Sequence, residues 1–468
     1  MRQALAASLS GEIDELLGPG RASVLEDQLH GHSYDTWPIA TKWRLQGKQP
    51  FRPDVVVHPT TIDEVSRLLV WASARRVAVT PWGLGSSVTG APLPVRGGVV
   101  LDMTRLSRIL LVDDINLFVR VQAGKLGIEL ERDLNRRGLT LNHSPQSLDR
   151  STVGGWVSTR ATGQFSSAYG GIEDLVLALT VVLSTGEVVE TPLVPRAATG
   201  PDFAQLLVGA EGTLGVVVDV TLKVFPLPEH RRLETIRFDS VGDGIGAMRQ
   251  IMRAGLRPFL VRFYDEDESR YAMTDPSFAG CVLFLGVEGV RAVAEAELTA
   301  SLEICASHGG RPIGPAGAEA WMSRRYDFST IETRIESAGG VAETIEVAQF
   351  WDQILETYEA LKAALKPLAT EVLGHFSHVY PQGTALYMIL LGQADDDVQA
   401  EAQIERMWET AMRISLDHGA ALSHHHGVGL ARLPYIREGL GTSMVVLERV
   451  KDALDPAGIM NPGKLGLD

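Results

Sequence analysis

The stretch "PWGLGSSVTG" (residues 81–90) decides how the first half of the chain is interpreted. It follows the short apolar segment "VAVTP", which predicts a strand. A Rossmann loop would read G-x-G-x-x-G and would open a helix. Here Val88 stands where the third glycine belongs, and Pro92 and Pro94 forbid a regular helix. The stretch therefore predicts a turn whose successive N–H groups converge on an anion, with a plain surface turn as the alternative.

Two further stretches are as rich in small residues as the first. They are "STVGGWVSTRATGQFSSAYGGIEDLV" (151–176) and "GAEGTLGVV" (209–217). Such runs let a backbone approach a flat ligand closely. Three stretches of this kind in one part of the chain predict an extended dinucleotide cleft.

The segments around these stretches predict an α+β fold. "PDVVVHP" (53–59) and "LGVVVDVTLKVFP" (214–226) have the apolar pattern of strands. "TTIDEVSRLLVWASARR" (60–76) begins with Thr and Asp and spaces its apolar residues as an amphipathic helix does. The pattern changes near residue 229, where helical segments begin to alternate with strands such as "TALYMILLG" (384–392).

Composition limits the function classes. The 468 residues carry a net charge of −15, which argues against nucleic acid as a partner, because phosphate backbones need a net basic face. The two cysteines, Cys281 and Cys305, are too few for a disulfide framework or a cysteine zinc site. No signal peptide and no apolar stretch of membrane-spanning length is visible. We therefore expect a soluble, cytoplasmic protein.

Together with the C-terminal "NPGKL" (461–465), these small-residue stretches resemble the FAD-binding domain of the vanillyl-alcohol-oxidase (PCMH) type, followed by a C-terminal domain of the FAD-linked oxidase type. The resemblance implies a helical segment over residues 1–50 and a two-lobed FAD-binding domain over 51–229. An α+β substrate (cap) domain over 230–420 would cover the isoalloxazine ring. The segment 421–468 would return to the FAD site.

The same resemblance assigns residues to the cofactor. The pyrophosphate would be held by Gly83, Gly85, Ser86, Ser87 and Thr89. The flavin and adenosine would be lined by Ser147, Thr152, Gly155, Ser158 and Ile172, with the wall continued by Glu211, Gly212, Gly215 and Val216 and closed by Asn461 and Lys464. The pyrophosphate loop has neither histidine nor cysteine, so we predict noncovalent FAD.

The segment "SHHHGVG" (423–429) distinguishes two branches of this family. The D-2-hydroxy-acid dehydrogenases bind a divalent metal through two histidines and a glutamate, and a further histidine is the base. By that resemblance His378 matches the first ligand, but Tyr387 and His425 replace the other two, and His426 fits the base. We therefore predict no metal, although a His378/His425 pair could still hold zinc in principle.

The segment also resembles the alkyldihydroxyacetonephosphate synthases, which have "SHHHGVG" and a tyrosine at the position of Tyr387. In that branch the flavin does no net redox chemistry. Its N5 forms an adduct with the substrate carbon, a fatty acid leaves and a fatty alcohol adds. The resemblance assigns proton abstraction and phosphate binding to His424, His425 and His426, and the acyl leaving group to Tyr387. It further implies a homodimer, a small-molecule or lipid-phosphate substrate, and peripheral contact with a membrane.

The chain departs from the synthase branch at one arginine. Our best alignment places Glu332 where the synthases carry an arginine ahead of the segment matching "VAETIEVAQFW" (341–351). We instead expect Arg160, Arg324 or Arg325 to contact a substrate anion. The departure keeps open an FAD-linked dehydrogenase or oxidase of a D-2-hydroxy acid or alcohol, with His426 as base. A non-catalytic flavoprotein subunit is the third alternative.

Overall fold

The computed structural model describes residues 2–467, and their fold is α+β, as predicted. Helices of the first part of the chain are α1 (Arg2–Leu17), α2 (Glu26–Gly31), α3 (Pro38–Leu45), α4 (Ile62–Arg75), α5 (Gly127–Asn135), α6 (Val153–Thr159), α7 (Ser166–Tyr169), α8 (Ile172–Leu175) and α9 (Phe203–Leu207). Its strands are β1 (Ala22–Ser23), β2 (Val55–Val57), β3 (Val79–Trp82), β4 (Val99–Asp102), β5 (Ile109–Asp113), β6 (Phe118–Gln122), β7 (Leu139–Thr140), β8 (Val176–Val182), β9 (Val188–Glu190), β10 (Val216–Lys223) and β11 (Phe225–Pro226).

These strands form two main sheets. One has four strands in the order β1-β2-β4-β3, with β4 parallel to both β2 and β3. The other has five antiparallel strands in the order β5-β6-β10-β8-β9, and β7 pairs with β11 apart from both. The two sheets give this part of the chain two lobes.

Helix α4 shows how the sequence produces the first lobe. The hydroxyl of Thr61 caps the helix by accepting the N–H of Glu64, which satisfies one of the unpaired donors at a helix start. The apolar face of α4 packs against the four-stranded sheet through Val65, Leu68 and Leu69, all fully buried. The amphipathic pattern in the sequence predicted this helix, and the prediction is confirmed.

The second part of the chain forms one antiparallel sheet covered by helices. The strands are β12 (His230–Phe238), β13 (Leu260–Tyr264), β14 (Cys281–Gly289), β15 (Arg311–Gly314), β16 (Gly340–Phe350), β17 (Glu371–Val379) and β18 (Gly383–Gln393). Their order is β15-β12-β14-β13-β17-β18-β16. The helices are α10 (Val241–Arg253), α11 (Glu266–Ala272), α12 (Arg291–Ser307), α13 (Ala316–Arg324), α14 (Ser329–Glu336), α15 (Ile354–Leu365) and α16 (Asp397–Asp417).

The C-terminal segment, with α17 (Ile436–Leu440) and α18 (Met444–Leu454), returns to the first lobe. The N–H of Val79 donates to the carbonyl of Ile459 at 2.8 Å, and the N–H of Asn461 donates to the carbonyl of Val79 at 2.9 Å. The chain end is thereby joined to strand β3, directly before the loop "PWGLGSSVTG". Among residues 2–467, no helix is both long enough and apolar enough to cross a membrane.

Helix α10 packs on the large sheet through a glycine. A methyl group at Gly244 would overlap the ring of Phe263 on β13, whereas one at Gly242 would come no closer than 3.6 Å to Leu355. Helix propensity alone favours alanine over glycine by about 1 kcal/mol at either position. Of these two positions, close packing makes the replacement by alanine destabilising only at Gly244.

We predict that Gly244→Ala lowers the free energy of unfolding by about 1–3 kcal/mol, because the core is overpacked. Gly242→Ala, the matched control in the same helix, should leave it unchanged or raise it by up to about 1 kcal/mol. Thermal unfolding of both variants measures the difference. Equal melting temperatures for the two variants would contradict this packing.

Candidate active site

A cavity of about 1240 Å³ lies between the two parts of the chain. Most of the residues predicted for the cofactor and for catalysis line it. They are Gly83, Gly85, Ser86, Ser87, Ser147, Thr152, Gly155, Ser158, Glu211, Gly212, Gly215, Val216, Tyr387, His425, His426 and Asn461. The structure thus brings residues that are far apart in sequence to one cavity, which is large enough for a dinucleotide.

The loop "PWGLGSSVTG" packs against the start of α6. A Cβ at Gly83 would lie 2.5 Å from the hydroxyl of Thr152, which itself caps α6 by accepting the N–H of Gly155 at 3.3 Å. Gly154 lies on Ala123, whose Cβ would be 2.8 Å from a Cβ at Gly154. Part of the small-residue stretch 151–176 therefore forms the short helix α6.

Three of the residues predicted for the cofactor are buried outside the cavity wall. Thr89 accepts the N–H groups of Leu430 and Ala431 at its carbonyl, at 2.7 and 3.1 Å. Ile172 is fully buried in the core of the five-stranded lobe. Lys464 is also fully buried and donates to the backbone carbonyl of residue 93 at 2.8 Å. In this structure these side chains support the cavity wall from behind.

The cavity wall fits FAD on two structural counts. Asn461 lines the cavity, and its amide donates to the carbonyls of Ala91 and Glu211, at 3.2 and 2.6 Å, while its buried Oδ1 has no hydrogen-bond partner among the described residues. Glycines 83 and 85 leave no room for side chains, which lets the backbone approach a bound phosphate closely. An unpaired acceptor beside a glycine-lined wall is suited to a large polar cofactor.

The histidine loop, residues 423–429, is anchored by one buried carboxylate, that of Glu346 on β16. Its oxygens accept the hydroxyl of Ser423 at 2.8 Å, the N–H of His426 at 3.0 Å and the N–H of His424. Arg432, also fully buried, donates to the same carboxylate at 2.9 Å. These contacts fix where the three histidines point.

Neighbouring residues keep the buried carboxylate of Glu346 ionised. Burial alone would raise the pKa of Glu346, but the positive charge of Arg432 and the nearby His426 and His424 outweigh it, so that the pKa is lowered. Glu346 is therefore an anion at neutral pH. Arg432 also donates to the carbonyls of Leu422 and Gly427, at 2.6 and 2.9 Å, and so spans the loop from end to end.

A second buried carboxylate holds the far end of the loop. Glu211, in the stretch "GAEGTLGVV", accepts the N–H groups of Val428 and Gly429. Its own backbone is in the left-handed region, with φ of 48°, a conformation that costs a residue with a side chain free energy. The third small-residue stretch therefore supports the histidine loop as well as lining the cavity.

The cap sheet carries a row of polar side chains, of which Tyr264, His375 and Tyr387 line the cavity and Glu346 is fully buried. Tyr264, His375, Tyr387 and Glu346 are direct cross-strand partners on β13, β17, β18 and β16, and direct partners share one face of a sheet. The rings of His375 and Tyr387 stack at 4.7 Å between centroids. The ring of Tyr387 in turn lies 5.5 Å from that of His426.

Burial sets the protonation of the histidine cluster. Burial lowers the pKa of His426 to about 4, even though Glu346, 3.6 Å away, raises it. Burial likewise lowers the pKa of His424, and lowers that of His425 well below the ordinary value. Burial raises the pKa of the Tyr387 hydroxyl. At neutral pH the cluster therefore consists of neutral imidazoles and a protonated phenol.

His424 lies behind the cavity wall, next to His378, which lines the cavity. Their rings stack at 5.0 Å, and His424 Nε2 is 2.8 Å from the hydroxyl of Tyr380. One nitrogen each of His378, His424 and His425 fall within 4.8 Å of one another. His378 Nδ1 also shares a hydrogen bond with Ser166 at 2.9 Å. The trio contains no carboxylate, which hard divalent ions prefer as a ligand.

The three predicted anion-binding arginines lie in different places. Arg160 ends α6, is exposed and does not line the cavity. Arg324 and Arg325 do line it, but they donate to backbone carbonyls, those of Ala272 and Met322. Arg325 additionally donates to the hydroxyl of residue 326 at 3.0 Å.

Sequence reasoning missed Glu346 and Arg432. Each carried a signal: Glu346 is an acid within the apolar strand pattern "TIEVAQF", and Arg432 follows the histidine loop by a few residues. Charged side chains are rarely fully buried unless they are paired. On that ground, an ion pair between Glu346 and Arg432 could have been predicted from the sequence.

Comparisons with known proteins agree with this architecture. The family model described as FAD binding domain matches residues 53–192, and that of the FAD linked oxidases, C-terminal domain, matches residues 227–465. Alkyldihydroxyacetonephosphate synthase of Caenorhabditis elegans is 31% identical over 460 residues, which cover 90% of this chain and 77% of that protein. D-lactate dehydrogenase of Anaerostipes hadrus is 27% identical over 443 residues, covering 88% and 90%.

A solved structure of alkyldihydroxyacetonephosphate synthase has the same fold, with a TM-score of 0.82, 24% identity, and coverage of 97% of this chain and 85% of that one. Fold, cavity and family models together define a flavoenzyme with a two-lobed FAD-binding domain and a cap. The chain belongs to the FAD-linked oxidase family, and FAD is its cofactor. The expectations of family, fold and cofactor are confirmed.

We predict that Gly85→Ala weakens FAD binding roughly tenfold or more, equivalent to about 1.4 kcal/mol. Gly85 has φ of 65°, and a Cβ there would lie 2.5 Å from the ring of Trp82, so the loop must shift. Gly138→Ala is the matched control, because its φ of 73° carries the same strain, a Cβ there would meet no atom within 4 Å, and Gly138 does not line the cavity. Titration of apoprotein with FAD measures both, and equal FAD affinity in the two variants would contradict the prediction.

Proposed function

We propose that this flavoenzyme is a synthase of the alkyldihydroxyacetonephosphate type, which exchanges the acyl group of an acylated dihydroxyacetone phosphate for a fatty alcohol. The observation that carries the proposal is the loop 423–429, held so that His425 and His426 meet Tyr387 at the cavity wall. The similarity to synthases over 90% of the chain supports it.

His426 is the residue we assign to proton abstraction. It lines the cavity, and its buried Nδ1 has no hydrogen-bond partner among the described residues. A neutral imidazole can take a proton from a carbon next to a carbonyl. The Glu346 carboxylate, 3.6 Å from Nδ1, would stabilise the imidazolium that results.

Tyr387 is assigned to the leaving group. Its hydroxyl stays protonated at neutral pH, because burial raises its pKa, so it can donate a hydrogen bond to a departing carboxylate. His425, which lines the cavity, would contribute a donor to the substrate phosphate, and His424, behind the wall, would hold the loop. When bound, the flavin supplies a nucleophilic ring nitrogen to the substrate carbon.

The predicted cofactor residues become part of this proposal. We propose that those lining the cavity contact FAD, and that Thr89, Ile172 and Lys464 act from behind the wall. Cys281 and Cys305 are buried in the cap sheet and in α12, which agrees with noncovalent FAD. Arg324 and Arg325, which line the cavity, stay candidates for a substrate anion, whereas Arg160 lies outside it.

The alternative is an FAD-linked dehydrogenase or oxidase of a D-2-hydroxy acid or alcohol. One observation favours it: a free, neutral His426 beside a carboxylate is equally suited to removing the proton of a hydroxyl group. The similarity to D-lactate dehydrogenase also supports it. In this alternative the flavin accepts hydride.

The proposal extends to the setting of the enzyme. We propose that it works without a bound metal, since the histidine trio lacks a carboxylate. We further propose a homodimer in the cytoplasm that meets its lipid-phosphate substrate by peripheral contact with a membrane.

The test is the anaerobic absorbance spectrum of the FAD-loaded enzyme, recorded after EDTA treatment. We expect D-2-hydroxy acids to leave the flavin bands unbleached. Acylated dihydroxyacetone phosphate should change them and release fatty acid. Full bleaching by a hydroxy acid would instead establish the dehydrogenase, and a loss of activity that zinc restores would assign the histidine trio to a metal.

Two variants locate the chemistry in that assay. His426→Gln and Tyr387→Phe should retain FAD but lower turnover by roughly 100-fold or more, because a positioned acid or base contributes about 10²–10⁴-fold. His418→Gln is the control, since His418 lies at the end of α16 outside the cavity. Undiminished turnover in His426→Gln would refute the role of that residue.

A further inference from the structure

Arg262 on β13 faces the cavity in a setting unlike that of Arg324 or Arg325. It donates from Nε to the hydroxyl of Tyr264 at 2.6 Å and from Nη2 to Nε2 of His375 at 2.7 Å. Its guanidinium lies over the ring of Trp321 at 5.4 Å. No carboxylate of the described residues pairs directly with it, and Arg262 is partly exposed to the cavity.

The contact between Arg262 and His375 fixes the imidazole tautomer. Arginine can only donate, so His375 Nε2 must accept. The neutral ring then carries its proton on Nδ1, which lies 2.8 and 2.9 Å from the two carboxylate oxygens of Glu268. Glu268, His375 and Arg262 form a chain of hydrogen bonds that ends in a cation at the cavity wall.

This chain of hydrogen bonds positions the guanidinium of Arg262. Glu268 and His375 are both buried and hold one edge of the guanidinium, while Tyr264 holds Nε. The other edge stays available for a bidentate contact with an oxyanion, which guanidinium geometry suits. Because the imidazole of His375 between Glu268 and Arg262 is neutral, no negative charge pairs directly with the guanidinium.

The position of Arg262 relative to the base selects among anions. The stacked rings of His375 and Tyr387 lie between Arg262 and His426. In a 2-hydroxy acid the carboxylate is bonded to the reacting carbon, so anion and base must converge. In a dihydroxyacetone phosphate ester the phosphate lies several bonds away from that carbon. The separation between Arg262 and His426 therefore suits the phosphate ester better than the 2-hydroxy acid.

We propose that Arg262 binds the phosphate group of the substrate and that Glu268 and His375 are positioning residues for its guanidinium. The inference rests on the proposed function for the identity of the phosphate ester. It supplies the anion contact that the chain lacks where the synthases carry an arginine and Glu332 stands instead.

The test is calorimetric titration of the FAD-loaded enzyme with glycerol 3-phosphate, which carries the same phosphate but no reactive carbonyl. We expect saturable binding to the wild type, and a loss of affinity of roughly 10- to 100-fold in Arg262→Gln, as expected for a charge-assisted hydrogen bond. Arg232→Gln is the matched control. Arg232 lies on the same sheet but is exposed and pairs with Glu295.

The positioning role has a separate readout in the pH dependence. Burial raises the pKa of Glu268 to about 8, although Arg262 and Lys362 lower it. His375, Asp265 and Tyr264 are also polar neighbours of Glu268. Below that pH the carboxyl is neutral and the site carries net positive charge. Affinity for glycerol 3-phosphate should therefore fall severalfold between pH 7 and 9.

Glu268→Gln stays neutral across this range and should abolish that fall while retaining affinity at pH 7. The phosphate monoester only gains negative charge over this range, because its second pKa is about 6, so its own titration would strengthen binding and does not produce the fall. Persistence of the same pH dependence in Glu268→Gln would overturn the positioning role.

The remaining outcomes separate this inference from the proposed function. Equal binding of glycerol 3-phosphate by wild type and Arg262→Gln would overturn the inference and leave the function intact, as would a selective loss in Arg325→Gln. If only D-lactate binds, the synthase proposal and the phosphate assignment both fail.

A second variant covers the case in which Arg262→Gln loses FAD or folds poorly. Arg262→Lys keeps the positive charge but not the two-pronged guanidinium, and it should still weaken binding of glycerol 3-phosphate. Full affinity in Arg262→Lys would refute bidentate recognition.

Discussion

The buried carboxylate of Glu346 is the interaction on which the site depends. It takes hydrogen bonds from the hydroxyl of Ser423, from two backbone N–H groups of the histidine loop and from Arg432. Both members of the ion pair are fully buried, and removal of one partner of such a pair leaves an uncompensated charge that costs about 3–5 kcal/mol. The cap domain thereby determines where the loop of the C-terminal segment lies.

The two domains meet at this loop from opposite sides. Glu346 comes from the cap sheet, whereas Glu211 and Thr89 come from the FAD-binding part and hold the loop at Val428 and Leu430. The histidine loop is therefore held in place by both the FAD-binding part and the cap sheet. The proposed function requires this arrangement, because His426 would have to meet a substrate carbon beside the flavin.

Local pattern was enough to predict much of the fold and the cavity wall. The helix α4 and the strand that leads into "PWGLGSSVTG" follow from apolar pattern and, for the helix, a threonine cap. The resemblance of short motifs predicted the cofactor. The polar row across the cap sheet was not predictable, because it depends on the register of strands far apart in sequence. Arg262, Glu268 and His375 look unrelated along the chain, and only the sheet brings them together. Lys464 and Ile172 matched the family motif but lie behind the wall, since a motif gives proximity to a site and not the direction of a side chain.

The most direct test of this account is hydrogen–deuterium exchange of the peptide spanning the histidine loop, in wild type and in Glu346→Gln. Loss of the carboxylate should speed exchange of the His424 and His426 amides by roughly tenfold or more, because both donate to it. Glu343→Gln is the control, since Glu343 lies on the same strand but contacts Trp408, and it should leave the loop unchanged. Unaltered exchange in Glu346→Gln would show that this carboxylate does not hold the loop.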